Sequence, residues 1–158
     1  MICYLGLGSN LGNKEENLLK AIVNIAEKIG VFSAISSMYE TDPWGFHSDN
    51  LFLNQVVCID TSLSPEEILK ESQNIEKTMG RKKKTATHFE DRIIDIDILL
   101  YENFTVEAKK LTLPHPHLHE RLFVLRGLNE IAPDVIHPTL NKSFSELYAE
   151  QLRHCAIS

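Results

Sequence analysis

The order of strand and helix patterns along the chain predicts an α+β fold, in which an antiparallel sheet carries two helices on one face. Three observations support this prediction. Short apolar runs typical of strands occur at the start of the chain, before residue 60 and before residue 101. Two amphipathic segments with helix start signals separate these runs. A strand pattern that ends near residue 41 is followed by a loop and then by the second apolar run, so we expect two consecutive strands in the middle.

The first half of the chain contains one strand, one helix and the pair of strands. Residues 2–7 are apolar and lead into a glycine-rich segment that reads as a turn. Asn13 can cap the helix that follows, and Gly30 ends it. β-branched and small residues at 32–41, and the apolar run at 51–59, indicate two strands that we expect to pair.

The second half opens with the clearest helix signal. Ser64 can cap a helix that has proline at its first position, and Gly80 ends it. A basic loop leads to a strand that ends at Tyr101, and we expect two further helices, at about 117–129 and near 145–152. The first hundred residues thus follow the β-α-β-β-α-β order of a ferredoxin-like core, to which the C-terminal helices are added.

Length and composition are those of an ordinary globular protein. The 158 residues suffice for one core, so we expect a single domain over residues 1–158. A net charge of -6 argues against a general nucleic-acid binder, and no run of about 18 apolar residues indicates a membrane span. The three cysteines are widely spaced and suggest neither disulfides nor a zinc site. A cytoplasmic monomer that binds neither nucleic acid nor a membrane is the default expectation.

Asp95 and Asp97 are the most informative residues of the chain. They lie two apart in an apolar run, so they project from one face of a strand while the neighbouring isoleucines point into the core. Adjacent carboxylates repel each other and lose hydration unless a cation or hydrogen-bond donors compensate them. Oxygen ligands without nearby cysteine favour Mg²⁺, which usually accompanies phosphates. The alternative is an edge strand whose acids face water.

A cluster of cations precedes the acidic strand. Cations beside two acids can bind a polyphosphate while the acids hold its metal ion, and phosphoryl transfer needs mainly such positioning and charge neutralisation. The alternative is a basic loop that is simply solvated. The cluster consists of Arg81, Lys82, Lys83, Lys84, His88 and Arg92.

Three further features bear on function. Gly6, Gly8 and Gly12 precede a helix but match neither the dinucleotide fingerprint nor the Walker A motif, so we interpret them as a tight turn. Of the histidines at 115, 117 and 119, we expect at most one, His115, to serve a site, because the intervening proline and a helix start would separate the rings. Trp44 lies in a Pro-Gly loop, where its ring can stack on a flat heterocycle.

Seven motifs, in order and spacing, resemble those of a known enzyme family. They are LGSNLG (7–12), YETDPWG (39–45), FLN (52–54), QNIE (73–76), GR (80–81), RIIDIDIL (92–99) and LPH (113–115). Together they resemble the 6-hydroxymethyl-7,8-dihydropterin pyrophosphokinases over about residues 4–138. The resemblance implies a ferredoxin-like core and transfer of the β,γ-diphosphate of ATP to the pterin hydroxymethyl group, with release of AMP, in tetrahydrofolate biosynthesis.

The resemblance also implies roles for individual residues. Asp95 and Asp97 would bind two Mg²⁺ ions that bridge the triphosphate, and Arg81 and Arg92 would complete the catalytic set. The ATP pocket would be lined by Gln73, Glu76, Lys83, Arg92, Ile98, Lys110, Thr112, His115 and Arg121. The reduced pterin would be held by Thr41, Asp42, Trp44, Phe52, Asn54 and Phe123, with the two phenylalanines on either side of its ring. The contribution of Lys82, Lys84 and His88 to phosphate binding stays open.

Two other functions could use the same features. In a ferredoxin-like binding module for RNA or a small ligand, the acids would be structural. In a metal-dependent phosphohydrolase, water would replace the pterin hydroxyl as nucleophile. The chain lacks the aromatic signature of RNA-binding modules and carries a negative net charge, which disfavours the RNA version.

Overall fold

The computed structural model describes residues 1–42, 50–80 and 92–157. Its elements in chain order are β1 (Ile2–Ser9), α1 (Lys14–Lys28), β2 (Val31–Ile35), β3 (Tyr39–Thr41), β4 (Phe52–Asp60), α2 (Pro65–Thr78), β5 (Asp95–Tyr101), β6 (Val106–Glu107), β7 (Thr112–Leu113), α3 (Leu122–Ile131) and α4 (Phe144–Ile157). A 3-10 turn over Leu118–Glu120 precedes α3. A bilayer crossing would need a longer and more apolar helix than any within these described ranges.

Strands β1 to β5 form one sheet, in which the order is β2-β4-β1-β5 and β3 also pairs with β4. All of these pairings are antiparallel. When β2 and β3 are counted as one interrupted strand, the spatial order is second, third, first and fourth, which is the ferredoxin-like arrangement. The predicted fold class is therefore confirmed.

Helices cover both faces of the sheet. On one face, α1 and α2 bury Ile25 and Ile75 against strand residues such as Ile96. On the other face, α3 and α4 bury Leu125 and Phe144 in a second core. Side chains alternate along a strand, and Ile96 points into the first core. Residues 95 and 97 therefore lie on the opposite face, which α3 covers.

The first two helices begin where their capping signals predict. The side chain of Asn13 accepts a hydrogen bond from Glu16 N at 3.1 Å at the start of α1. Before α2, Ser64 Oγ accepts from Glu67 N at 3.3 Å, and the Glu67 carboxylate accepts from Ser64 N at 3.1 Å. These bonds satisfy amide groups that a helix start otherwise leaves unpaired.

Three boundaries differ from the sequence prediction. The strand predicted at 32–41 is interrupted at 36–38, where the amide and hydroxyl of Ser37 donate to the Glu130 carboxylate of α3 at 2.9 and 2.7 Å. The helix predicted at 117–129 begins only at Leu122, because Arg121 has an extended backbone after the 3-10 turn. The last helix is longer than the predicted 145–152 and starts at Phe144.

Candidate active site

β1 forms a glycine floor between the two strands that carry the predicted site residues. Gly8 pairs with Asn54 of β4 on one side and with Asp95 of β5 on the other. Gly6 pairs with Asp97. Side chains on the same face of neighbouring strands lie beside each other, so the carboxylates and the amide face one space above the glycines.

A cavity of about 650 Å³, counted with its open mouth, lies over this floor. The predicted residues that line it are Thr41, Asp42, Phe52, Asn54, Arg92, Asp95, Asp97, Arg121 and Phe123. One cavity thus brings together both metal-ligand candidates, two arginines predicted to bind ATP and five of the six pterin-binding candidates.

The interpretation of the glycines as turn residues is wrong for Gly6 and Gly8, because both lie inside β1. A Cβ on Gly8 would lie 3.2 Å from Asn54 Oδ1 and 3.5 Å from the ring of Phe52. The missing side chain therefore keeps the cavity open. Gly12, with a φ of +68°, has the backbone conformation that a turn glycine takes.

Each acid of β5 faces an arginine. Arg92 Nη1 lies 3.4 Å from Asp95 Oδ2, and Arg121 Nη1 lies 3.5 Å from Asp97 Oδ2. The arginine side chains are 10% and 14% exposed, and the aspartates 19% and 29%, so the pairs are sheltered but reachable from the cavity. Solvent screens partly buried charges less than surface charges. The two arginines can therefore attract an anion, and the two aspartates can attract a cation.

Two aromatic rings form the apolar part of the cavity. Phe52 of β4 and Phe123 of α3 are both half-buried and line it. The guanidinium carbon of Arg92 lies 5.8 Å from the centroid of the Phe52 ring. A flat ligand bound between these rings would therefore lie beside the arginine and the acidic pair.

Asn54 has its side chain fixed by the neighbouring strand. Its Nδ2 donates to Tyr39 O at 3.3 Å and to Thr41 Oγ1 at 2.6 Å. Asn54 is only 6% exposed, and its Oδ1 is turned towards Gly8. The amide oxygen is thus presented as a preorganised acceptor next to the cavity.

The other predicted ATP residues in the described ranges do not line this cavity. Glu76 of α2 is 3% exposed, and its Oε2 accepts a hydrogen bond from Ile96 N of β5 at 3.0 Å. His115 N donates to Leu99 O of β5 at 2.9 Å. Ile98 is buried in the first core. The three exposed members of the set are Gln73, Lys110 and Thr112.

Several predicted residues cannot be placed in the site. Their roles stay predictions, because they lie outside the residues that the structure describes. They are Trp44, Arg81, Lys82, Lys83, Lys84 and His88.

The acidic pair suits a magnesium ion bound together with phosphate. Within residues 1–42, 50–80 and 92–157, no group of three or more His, Cys, Asp or Glu side chains is arranged to enclose a metal. Mg²⁺ usually takes one or two carboxylates from the protein and completes its shell with water and substrate phosphate oxygens. Asp95 and Asp97 could supply two such carboxylates.

Cys3 contributes no nucleophile to the site. Cys3 on β1 and Cys58 on β4 are buried and free. Burial raises the pKa of the Cys3 thiol to about 12, and the nearby Cys58 adds to this shift. The thiolate is the reactive form, so Cys3 is inert at neutral pH.

Comparison with known proteins identifies the family of this chain. The family model described as 7,8-dihydro-6-hydroxymethylpterin-pyrophosphokinase (HPPK) matches residues 4–133. The chain belongs to the HPPK family. This confirms the resemblance that the seven motifs indicate.

Relatives named as this pyrophosphokinase cover almost the whole chain. The 2-amino-4-hydroxy-6-hydroxymethyldihydropteridine pyrophosphokinase of Aquifex aeolicus (strain VF5) is 43% identical over 147 residues, which are 93% of this chain and 90% of the relative. The protein of the same name from Bacillus subtilis (strain 168) is 42% identical over 135 residues, which are 85% and 80% of the two chains.

Solved structures show the HPPK fold at lower sequence identity. The crystal structure of wild-type Plasmodium falciparum HPPK-DHPS with SDX-DHP matches with a TM-score of 0.78 and 18% identity, over 97% of this chain. The match covers 44% of that chain, so the present chain spans less than half of it. At this identity the likeness shows the fold alone.

Some residues of the HPPK cavity were not identified from the sequence. Leu99 and Val124 line it, in addition to the glycines of β1. Leu99 follows the two acids at the strand period of two, so the alternation of the strand was a usable signal. No local signal marks Val124, because its place depends on how α3 packs on the sheet.

Proposed function

We propose that this chain transfers the β,γ-diphosphate of ATP to the hydroxymethyl oxygen of 6-hydroxymethyl-7,8-dihydropterin, a step of tetrahydrofolate biosynthesis. One observation carries the proposal: a single cavity has an acidic pair with two arginines beside a pair of phenylalanines. The first half of this set suits a magnesium polyphosphate, and the second half suits a flat heterocycle. Family membership and the names of the relatives support the same reaction.

The proposed reaction exchanges a phosphoanhydride bond for a phosphoester bond. The pterin hydroxymethyl oxygen attacks the β-phosphorus of ATP and loses its proton to solvent. The bond between that phosphorus and the oxygen bridging to the α-phosphorus breaks, and AMP leaves with this oxygen. Such a transfer requires little covalent chemistry from the protein, so positioning and charge neutralisation supply most of the rate enhancement.

We assign the acids and arginines of the cavity to the triphosphate. Asp95 and Asp97 would hold two Mg²⁺ ions. Bound by these carboxylates, the ions would supply neutralisation of phosphate charge and polarisation of the attacking hydroxyl. Arg92 and Arg121 would bind phosphate oxygens, since a guanidinium matches a phosphate with two parallel hydrogen bonds.

We assign the aromatic and amide side chains to the pterin. Phe52 and Phe123 would stack on the two faces of its ring, while the fixed Oδ1 of Asn54 would accept a hydrogen bond from a ring N–H or amino group. Thr41 and Asp42, which lie beside Asn54 at the cavity, would contribute backbone groups. The pterin hydroxymethyl arm would then lie towards the acids of β5.

A product analysis tests the proposed reaction. The protein is incubated with ATP, Mg²⁺ and the reduced pterin, and nucleotides, free diphosphate and pterin diphosphate are quantified. We expect AMP and pterin diphosphate in equal amounts, with no free diphosphate. AMP with free diphosphate, or ADP, would indicate hydrolysis, and the absence of turnover would indicate a binding protein.

Two arginine variants test whether the effect on the rate is specific to the cavity. Arg121→Ala should lower the rate of pterin diphosphate formation by about a hundredfold, because a charge on the polyphosphate loses its partner. Arg153→Ala removes an exposed arginine of α4 and serves as the matched control. Equal rates of the two variants would contradict the assignment of Arg121.

A further inference from the structure

Asn10 belongs to the LGSNLG motif (7–12) at the end of β1, and the proposed reaction assigns it no role. The residue is 3% exposed. Its backbone N donates to Arg92 O at 3.1 Å, and its side-chain Oδ1 accepts from Arg92 N at 2.6 Å. Asn10 therefore binds both backbone polar groups of Arg92. A longer contact of 3.5 Å joins its Nδ2 to Asn50 O.

These two bonds continue the pairing of β1 with β5 beyond the end of the sheet. The last paired residues of the two strands are Gly8 and Asp95. Two residues after Gly8, just beyond the end of β1, the side chain of Asn10 replaces a backbone carbonyl as the acceptor for Arg92 N. Short amide side chains often substitute for backbone acceptors in this way. An alanine at this position could make only the backbone half of the contact.

Arg92 lies beside both the acidic part and the aromatic part of the cavity. Its Nη1 lies 3.4 Å from Asp95 Oδ2, and its Cζ lies 5.8 Å from the centroid of the Phe52 ring. Arginine loses much rotamer freedom when its guanidinium is held in place. A fixed backbone at Arg92 removes one further source of displacement of the guanidinium, and small displacements of such groups can cost a large part of the rate.

We propose that Asn10 is a positioning residue that fixes the backbone of Arg92, so that its guanidinium lies between Asp95 and the aromatic wall. The effect of Asn10 on the reaction passes through Arg92. The inference rests on the proposed function of Arg92 in phosphate binding.

Asn17, in the first turn of α1, provides a matched control because it supports the same turn after β1. Its Nδ2 donates to Leu11 O at 2.8 Å and to Ser9 Oγ at 3.1 Å. The change Asn17→Ala thus removes an asparagine that supports the turn after β1, without touching Arg92. A general loosening of the turn would affect the Asn10 and Asn17 variants alike.

A double-mutant cycle tests the inference with intact protein. Asn10→Ala, Arg92→Ala, the double variant and Asn17→Ala are compared in kcat/KM for ATP and for the pterin, and in thermal unfolding. We expect Asn10→Ala to lower kcat/KM for ATP by about tenfold or more, and Asn17→Ala by less than about threefold. In the Arg92→Ala background, Asn10→Ala should change kcat/KM by less than about twofold, because coupled residues are non-additive.

The outcomes separate the two proposals. Equal losses from Asn10→Ala in both backgrounds, or a wild-type rate in the folded single variant, would overturn the role of Asn10 alone. A wild-type rate for Arg92→Ala would overturn the phosphate role of Arg92 and this inference with it. Should Asn10→Ala fail to fold, Asn10→Asp keeps the Oδ1 acceptor; we expect its kcat/KM within about threefold of wild type, and a loss above about tenfold would overturn the inference.

Discussion

Asp95 and Asp97 lie on a strand whose alternate residues are buried isoleucines, so two charges sit directly above a core. Their arginine partners relieve part of the repulsion between the carboxylates, but the carboxylates remain open to the cavity. The desolvation cost of such sheltered ion pairs offsets much of their Coulomb attraction, so they are weak evidence for stability. Folding therefore gains little from this pair, and a functional reason for it is the better explanation.

The first prediction concerns the charge of one acid. Asp97→Asn keeps the shape of the side chain but removes the charge that would attract Mg²⁺ and face Arg121. We expect the rate of pterin diphosphate formation to fall by about a hundredfold or more, with a small change in the melting temperature. Steady-state product formation and thermal unfolding measure the two effects, and calorimetric titration with Mg²⁺ and an ATP analogue measures the lost affinity directly.

Asp60→Asn is the control for this change. Asp60 forms an ion pair with the amino group of Met1 at 3.0 Å, at the end of β4 away from the cavity, and its side chain is 64% exposed. We expect wild-type turnover from it. Near-wild-type turnover from Asp97→Asn as well would remove the metal assignment.

At the scale of elements, β5 is held in place from its open edge as well as by β1. Glu76 of α2 accepts the Ile96 N–H, which lies between the two acids. His115 N bonds to Leu99 O further along the same strand. These contacts make the residues that border β5 candidates for fixing the acids, in addition to the ATP role that the resemblance implies for them.

The second prediction separates these two roles for Glu76. Glu76→Ala leaves Ile96 N buried without this acceptor, so we expect a loss of about 1–3 kcal/mol in the free energy of unfolding and a lower kcat. Glu76→Gln keeps an acceptor oxygen and should retain most of the stability. Denaturant unfolding and the KM for ATP are measured for both variants. If the Gln variant is stable but its KM for ATP rises strongly, the carboxylate charge acts on the nucleotide; a Gln variant as unstable as the Ala variant would contradict the acceptor role.

The third prediction concerns the packing of α3, which carries Phe123, on β4. A Cβ on Gly127 would lie 2.4 Å from Val56 Cγ2, so Gly127→Ala requires the helix to move away from the strand. Overpacking of this kind costs about 1–3 kcal/mol, which exceeds the gain in helix propensity. Denaturant unfolding should show the loss, and the KM for the pterin should rise because Phe123 moves with the helix.

A second substitution checks this explanation. Val56→Ala removes Cγ2, the nearest atom that the new Cβ would meet, but keeps the Val56 Cβ at 2.8 Å. The clash is therefore relieved in part, and the double variant should be more stable than the sum of the single changes implies. Additive losses would show that Gly127 is needed for another reason.

Local signals account for the elements that the sequence predicted well. The caps at Asn13 and Ser64 act within one helical turn, and the acids of β5 follow the strand period. The interruption after β2 depends on Glu130, which binds Ser37 from 93 residues away. Such contacts, like the place of Gly8 under the cavity, follow from tertiary packing and have no local signature.

At the scale of the whole molecule, the two pairs of helices cover opposite faces of the sheet and serve different purposes. α1 and α2 cover the face that holds the larger core, while α3 covers the face that carries the cavity and brings Phe123 and Arg121 to it. The segment over residues 132–143 joins α3 to α4 within this second layer. His137 lies in that connection and is 4% exposed.

The imidazole of His137 forms hydrogen bonds within this connecting segment. Its Nδ1 accepts from Leu140 N at 3.1 Å and Thr139 N at 3.3 Å, which requires the neutral ring. Burial lowers the pKa of His137, and the nearby His119 adds to the shift. In the unfolded chain the pKa returns to its ordinary value of about 6.5. Below that value the unfolded chain binds more protons, so this contribution to stability is present above it and is lost as the pH falls through the folded pKa.

The fourth prediction follows from this linkage. The free energy of unfolding, measured by denaturant titration, should fall between about pH 7.5 and about pH 5, and His137→Gln should reduce the size of that fall because it removes the group that titrates. His154→Gln, on the exposed side of α4, is the control and should show the wild-type fall. The comparison uses the difference between the two pH values, so the lower overall stability of His137→Gln does not affect it. A fall of wild-type size in His137→Gln would mean that carboxylates elsewhere dominate the pH dependence and that the link between α3 and α4 is insensitive to this ring.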